Sequence, residues 1–336
     1  MTGAVSEHHI RELPIVVLLP HNRCDCRCVM CDIWKIRQVR EITDRDLERH
    51  LSSFRSLKVK WVVLSGGESL LHSDLPGLCR WFRREGIRLT LLTAGLSMEQ
   101  HAATISELID DVIVSIDGPQ AIHDHIRGVQ GAYLQLERGV DALRRLRPEI
   151  PISGRCTVQK RNCRELRNTV YSAHALHLNF LSFLAADITS SAFNRREGSE
   201  TPTRFALAAD EVDALDWEIE RLLQDCRQDI ESGFIVEKPA KLRRIVLHFR
   251  AHLGLAEAVS PRCNAPWVST VVEADGTVRP CFFHPSIGNI NDRPLEEILN
   301  GDSGVQFRQR LDVSTNPTCR NCVCSLFIPE SREAGA

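Results

Sequence analysis

Cys24, Cys28 and Cys31 stand in the run Arg23-Cys24-Asp25-Cys26-Arg27-Cys28-Val29-Met30-Cys31, a C-x3-C-x2-C spacing. Three thiolates this close on one short loop suit a cubane [4Fe–4S] cluster, in which each sulfur takes a different iron. A structural zinc site is the competing use of such thiols. Zinc favours two separated C-x2–4-C halves, however, and a lone triplet needs a distant fourth ligand. With three protein ligands the fourth iron is left open to something other than protein. Cys26 falls outside the spacing and is surplus.

Other polar groups follow apolar runs. Gly66-Gly67-Glu68 offers two glycines that let a backbone pass close to a ligand, and then a carboxylate able to pair with an ammonium group. Ser115-Ile116-Asp117-Gly118 ends another run, where Asp and Gly also serve the backbone needs of a turn. Arg127-Gly128 comes after His123-Asp124-His125. A guanidinium there suits a carboxylate, and the two histidines read as solvated residues at a helix start rather than metal ligands. Near the C-terminus, Cys263 precedes Gly276 and Cys281, and Cys319-x2-Cys322 comes later. Asp275-Gly276 marks a hairpin turn between the first two of these cysteines. Four thiolates close completely around a [4Fe–4S] cluster or around zinc, and Cys324 is an alternative to Cys322. Cys79, Cys156, Cys163 and Cys226 fall in helical, strand or connecting segments and read as small buried apolar groups.

In combination these motifs resemble the radical S-adenosylmethionine (radical SAM) superfamily, and the C-terminal cysteines resemble the shortened Twitch form of its SPASM domain. The resemblance runs over about residues 15–325. It implies that Cys24, Cys28 and Cys31 hold a [4Fe–4S] cluster whose open iron chelates the amino and carboxylate groups of SAM. It implies too that Gly66, Gly67 and Glu68 bind the amino group, and that Ser115 and Asp117 lie near the carboxylate and ribose. Arg127 would pair with the carboxylate. Met30, where relatives often have an aromatic residue, would pack on adenine. Cys263, Cys281, Cys319 and Cys322 would hold one auxiliary [4Fe–4S] cluster. Thr93-Ala94-Gly95 departs from the Thr-Asn-Gly of many relatives and lacks that amide side chain.

To position these groups the chain offers short β-branched runs alternating with helical patterns, the sign of parallel βα units. Strands are expected at Ile15–Leu19, Trp61–Leu64, Leu89–Thr93, Val112–Ile116, Ile152–Val158 and Phe180–Leu184. Helices are expected at Asp44–Leu57, Leu75–Glu85, Glu99–Ile109, Gly131–Leu146 and Leu166–Leu176. Six such repeats make an α/β fold, a partial (β/α)6 barrel, and each motif above lies at a strand's C-terminal end, where barrel chemistry belongs. Residues 12–187 form this core. Residues 188–259 supply a polar loop (Ile188–Thr203) over the barrel mouth and two amphipathic helices, Asp210–Ile230 and Lys238–Leu253, read as packing elements, with a substrate lid or linker as the alternative. Residues 260–326 form the auxiliary-cluster module. Arg155, Gln159 and Asn162 lie around the end of the fifth strand.

The 336 residues carry a net charge of −2, with no basic stripe for nucleic acid. The first residues lack an export signal, and no apolar run spans a membrane. Thirteen cysteines without an export signal point to a reduced, cytoplasmic setting. The resemblance implies a reducing partner such as flavodoxin or ferredoxin. It implies reductive cleavage of SAM to a 5′-deoxyadenosyl radical that takes hydrogen from the substrate, with the auxiliary cluster accepting or relaying an electron. The expected substrate is a small polar metabolite: a sugar, aminocyclitol or nucleoside sugar acid. It would be oxidised or decarboxylated in natural-product biosynthesis, as in the 2-deoxy-scyllo-inosamine dehydrogenase and cytosylglucuronate decarboxylase types. The alternative is a maturase of ribosomally made peptides. Fewer than twenty-five residues precede the cysteine loop, too few for the recognition domain such maturases commonly carry.

Overall fold

Six parallel strands follow one another in chain order: β1 Ile15–Leu18, β2 Trp61–Leu64, β3 Arg88–Thr93, β4 Asp111–Ser115, β5 Ile152–Val158 and β6 Phe180–Ala185. The computed structural model describes residues 8–195 and 201–329. Residues 1–7, part of the stretch read for an export signal, lie outside the described residues. So do 196–200, within the expected mouth-covering loop.

Each strand pairs with its sequence neighbour, as sequential βα units require. Inward and outward residues alternate along β2, β4 and β5, and the interstrand helices cover the outer face. Local signals set the helix ends. Asp74 caps Leu75–Arg84, which stops before Gly86 at φ +69°. The segment expected as one helix over Asp44–Leu57 is two, Asp44–Glu48 and Leu51–Ser56. The break lies where the His50 amide bonds to Leu47 O, three residues back, and the turn tightens. Asp210–Ile230 likewise divides at Cys226 into Ala209–Asp225 and Arg227–Ser232.

The sheet does not end at β1. The expected hairpin forms β7 Ser269–Val272 and β8 Thr277–Arg279, followed by β9 Gly288–Asn289. β7 pairs in parallel with β1, Leu18 facing Val272, so nine strands run in the order β6-β5-β4-β3-β2-β1-β7-β8-β9. Nothing local in either strand announces that pairing. At the opposite edge Leu181 exchanges backbone bonds with Phe234 and Val236, and the Glu237 carboxylate accepts from the Phe183 amide and Ser182 Oγ. Helix Pro239–His252 packs on β6, and Arg167 holds helix Ala209–Asp225 through Glu218 at 3.0 Å. Both helices pack against the β6 side of the barrel. No helix among the described residues is long and apolar enough to cross a membrane.

Candidate active site: two cysteine sets around one cavity

The cysteine loop after β1 is clamped from three sides. Arg23 O accepts from the Glu68 amide at 2.8 Å, and a Cβ on Gly67 would lie 2.0 Å from that oxygen. The glycine is thus required by close packing of β2's end against the loop. Arg27 N donates to Arg127 O (2.9 Å) and Val29 N to Ile126 O (3.0 Å), and Gly128 (φ +66°) sits where a Cβ would meet Arg27 O at 2.5 Å. Asp32 N donates to Phe193 O, and Asn194 Nδ2 to Asp32 O. Buried His21 adds a brace: Nδ1 accepts from Arg23 N, so Nε2 carries the proton it donates to Glu68 O. Burial lowers the His21 pKa, consistent with this neutral tautomer.

This loop forms one wall of a cavity of about 210 Å³ at the C-terminal ends of the strands. Cys24, Cys26, Cys28, Cys31 and Met30 line it together with Gly66, Gly67 and Ser115. Cys26 is buried, and its free thiol lies within hydrogen-bonding reach of Cys24 and Cys28, which raises its pKa and lowers that of Cys28. Burial pushes the Cys31 thiol up to about 12.

The structure divides the expected SAM residues. Gly66, Gly67, Ser115, Arg127 and Met30 reach the cavity. The Glu68 carboxylate turns inward, accepting from Ala94 N (2.8 Å) and Leu70 N (3.2 Å), and burial pushes its pKa up to about 7. It ties the end of β2 to the end of β3, in the place where the motif leads one to expect an ammonium partner. Asp117 is fully buried and serves as an anchor. It accepts from Arg127 Nε (2.7 Å) and Thr157 N (3.1 Å), while its own carbonyl accepts from Asn162 Nδ2 (3.0 Å). Arg127, so held, places Nη1 3.7 Å from Cys28 Sγ. Burial opposes the charge of Arg127, but Asp117 and then Cys28 outweigh it and its pKa is raised.

His123 departs from the expectation of a solvated residue. It is fully buried, its Nδ1 accepts from Asp117 N, and burial lowers its pKa to about 4. His125 is exposed, as expected. Of the residues around β5, Arg155 lines the cavity, Gln159 bonds Met30 Sδ at 3.6 Å, and Asn162 is spent on backbone carbonyls.

The second set of cysteines lies in the C-terminal module, whose Phe283, Val323 and Cys324 reach the cavity. Cys263, Cys281, Cys319 and Cys322 are half-buried and close enough to perturb one another. Burial pushes the thiols of Cys281 and Cys319 up to about 12 and 11, so ligation must displace their protons. His284 Nε2 lies 3.4 Å from Cys319 Sγ. The next segment carries Val323 and Cys324 into the wall of the barrel cavity. Cys322 lies near Cys281 and Cys263, while Cys324 lines the cavity and lies near Cys263 as well. Among the described residues no three His, Cys, Asp or Glu side chains are arranged to hold a single metal ion. Two sets of thiol donors have the donor chemistry of iron–sulfur clusters.

Beyond Phe193 and Phe283 lies a second, polar cavity of about 520 Å³, with Arg40, Glu273 and Arg279 in its walls. The sequence reading missed it, because its walls come from several separate segments of the chain.

Comparison with known proteins agrees with this geometry. The radical SAM superfamily model matches residues 18–167, and the model of the SPASM iron-sulfur cluster-binding domain matches 263–323. The chain is 27% identical to an AdoMet-dependent heme synthase of Methanosarcina barkeri, over 86% of this chain and 82% of that one. It is 29% identical to an Fe-coproporphyrin III synthase of the same organism, over 92% and 80%. Its fold is similar to that of native anSMEcpe with bound AdoMet (TM-score 0.66, 19% identity, 90% of this chain and 84% of that one). Streptococcus suis SuiB bound to S-adenosylmethionine is similar as well (TM-score 0.65, 13% identity, 94% and 73%).

Proposed function

The chain is a radical SAM enzyme with a C-terminal SPASM domain, and from that premise we propose that it oxidises or decarboxylates a metabolite held in the barrel cavity. One observation carries the reading. The cysteine loop walls one side of that cavity, and Val323-Cys324, next to the auxiliary thiols, wall another. An auxiliary cluster held by the neighbouring thiols would lie close to that cavity and would supply an electron sink. The cofactors are SAM, the [4Fe–4S] cluster that binds it and an auxiliary [4Fe–4S] cluster; together they supply the 5′-deoxyadenosyl radical that abstracts hydrogen and a sink for one electron.

The residues divide the remaining work. Cys24, Cys28 and Cys31 would hold the first cluster, and Cys263, Cys281, Cys319 and Cys322 the second. Gly66 and Gly67 present backbone rather than side chain to the amino group of SAM. Arg127, held by Asp117, would face its carboxylate, and Met30 would pack on its adenine. Phe193 and Phe283 line both this cavity and the larger one beside it.

For the substrate, the two relatives similar over most of their length are named for heme and Fe-coproporphyrin III synthesis. Tetrapyrroles therefore head the panel. Sugar, aminocyclitol and nucleoside sugar acids have no counterpart in those names and stand second. Peptide maturation draws only on a likeness of fold. The test is 5′-deoxyadenosine release by the anaerobically reconstituted, reduced enzyme with each class. Stimulation by a tetrapyrrole or a sugar acid supports the reading, and product mass separates loss of two hydrogens from loss of carbon dioxide. Stimulation by peptides alone overturns the substrate class.

A further inference from the structure

Arg155 is unexplained by the cluster and SAM assignments. Buried and half-buried positions alternate along β5, so Ser153, Arg155 and Thr157 share the face opposite to the one on which Gly154, Cys156 and Val158 join the core. Arg155 and Thr157 both line the barrel cavity. The Arg155 Nε is buried with no hydrogen-bond partner. The carboxylates of neighbouring elements are committed elsewhere. Asp117 holds Arg127, Asp187 holds Arg195 and Ser190, and Glu237 holds Lys241, Ser182 and the Phe183 amide. A half-buried cation on a cavity wall, with no internal counter-charge, is stable where a ligand supplies one.

We propose that Arg155 binds a carboxylate of the substrate, which makes acidic metabolites the substrate class; this rests on the radical SAM reading above. A guanidinium presents two parallel N–H donors in the geometry a carboxylate accepts. SAM carries a carboxylate as well, and position separates the two sources. Arg127 stands on the cluster side, against Cys28. Arg155 lies between Ser115 of β4 and Ser182 of β6 in register, and its charge acts on Cys324 of the C-terminal segment. The two guanidiniums thus line one cavity with different neighbours, Arg127 beside Cys28 and Arg155 on the wall that Val323 and Cys324 share.

The experiment measures equilibrium binding to the reconstituted, anaerobic full-length enzyme. The probes are Fe-coproporphyrin III and its methyl ester, glucuronate and glucuronamide, and SAM. We expect at least one acid to bind more tightly than its uncharged counterpart. Arg155→Gln should erase that preference, weakening the acid about tenfold to a hundredfold, as for a lost charge-assisted hydrogen bond. Arg155→Lys should restore part of it, and SAM affinity should hold in both variants. Iron and sulfide content equal to wild type establishes that the variants are folded. The proposal is overturned if no acid outbinds its counterpart, if Arg155→Gln keeps the preference, or if SAM affinity alone falls. Failure of the wild type to release 5′-deoxyadenosine would count against the radical SAM reading, while the binding comparison still judges Arg155.

Discussion

Cys26 lies two residues from both Cys24 and Cys28, and its free thiol lies within hydrogen-bonding reach of their sulfurs from a buried position. Its role is that of a neighbour to ligands. Cys26→Ala should therefore retain SAM cleavage, while Cys28→Ala should lose it along with the absorbance of one cluster; equal activity in the two would remove the basis of the loop assignment. Glu68 makes a different kind of prediction. Its folded pKa, about 7, lies above the roughly 4.3 of an unfolded glutamate. The folded state then holds the extra proton between those values, so its contribution to stability falls as pH rises from about 4.3 to about 7 and is level above. The loss is at most about 4 kcal/mol. Glu68→Gln cannot ionise, so its melting temperature should gain on wild type between pH 5 and pH 8. A difference independent of pH would mean that Glu68 is not held in this environment.

At the scale of elements, two glycines decide whether the cysteine loop can sit on the barrel. A methyl at Gly67 meets backbone, Arg23 O at 2.0 Å, and backbone cannot swing aside as a flexible side chain can. Gly67→Ala should give a folded protein with little iron on the N-terminal site, read by EPR and iron assay. Gly86→Ala is the control. A Cβ there meets nothing within 4 Å, and at φ +69° it costs only about 1 kcal/mol of backbone strain. Equal iron in the two variants would show that the loop is held some other way. The same scale explains Asp117. It ends β4 at the level where β5 offers the Thr157 amide, so one carboxylate fixes two strand ends and aims Arg127.

Across the whole molecule, the two ends of the chain are fastened to each other. Asn300 donates to Ile10 O (2.9 Å) and accepts from Ile10 N (2.8 Å), and buried Arg308 donates to His8 O and Leu299 O. With β7 on β1, these contacts fix the auxiliary cysteines relative to the barrel. Asn300→Ala should cost about 1–3 kcal/mol and speed hydrogen exchange around Ile10; unchanged exchange would deny the clasp. Two full clusters predict about eight irons per chain in the reconstituted protein, and Cys319→Ala about four. A wild-type content near four would leave the C-terminal thiols to another use.

Much of this was legible in sequence because it is local. Spacing places three thiols on one loop, β-branched runs mark strands within a residue or two, and Gly86 and Asp74 mark helix ends; each signal acts within a few residues of itself. The hairpin could also be read, since turn chemistry carries it. Contacts between distant segments could not be read. The same Glu68 side chain can face a ligand or the Ala94 amide, and His123 can be solvated or buried under Asp117, depending on which strand ends lie beside it. Parallel pairing of β7 with β1 joins residues some 250 positions apart through backbone bonds that any sequence can make. Sequence alone therefore determined the chemistry the chain can hold, through residue types and short spacings. Tertiary structure decided which of those groups share a cavity, because long-range packing and the pairing of buried charges set where each side chain points.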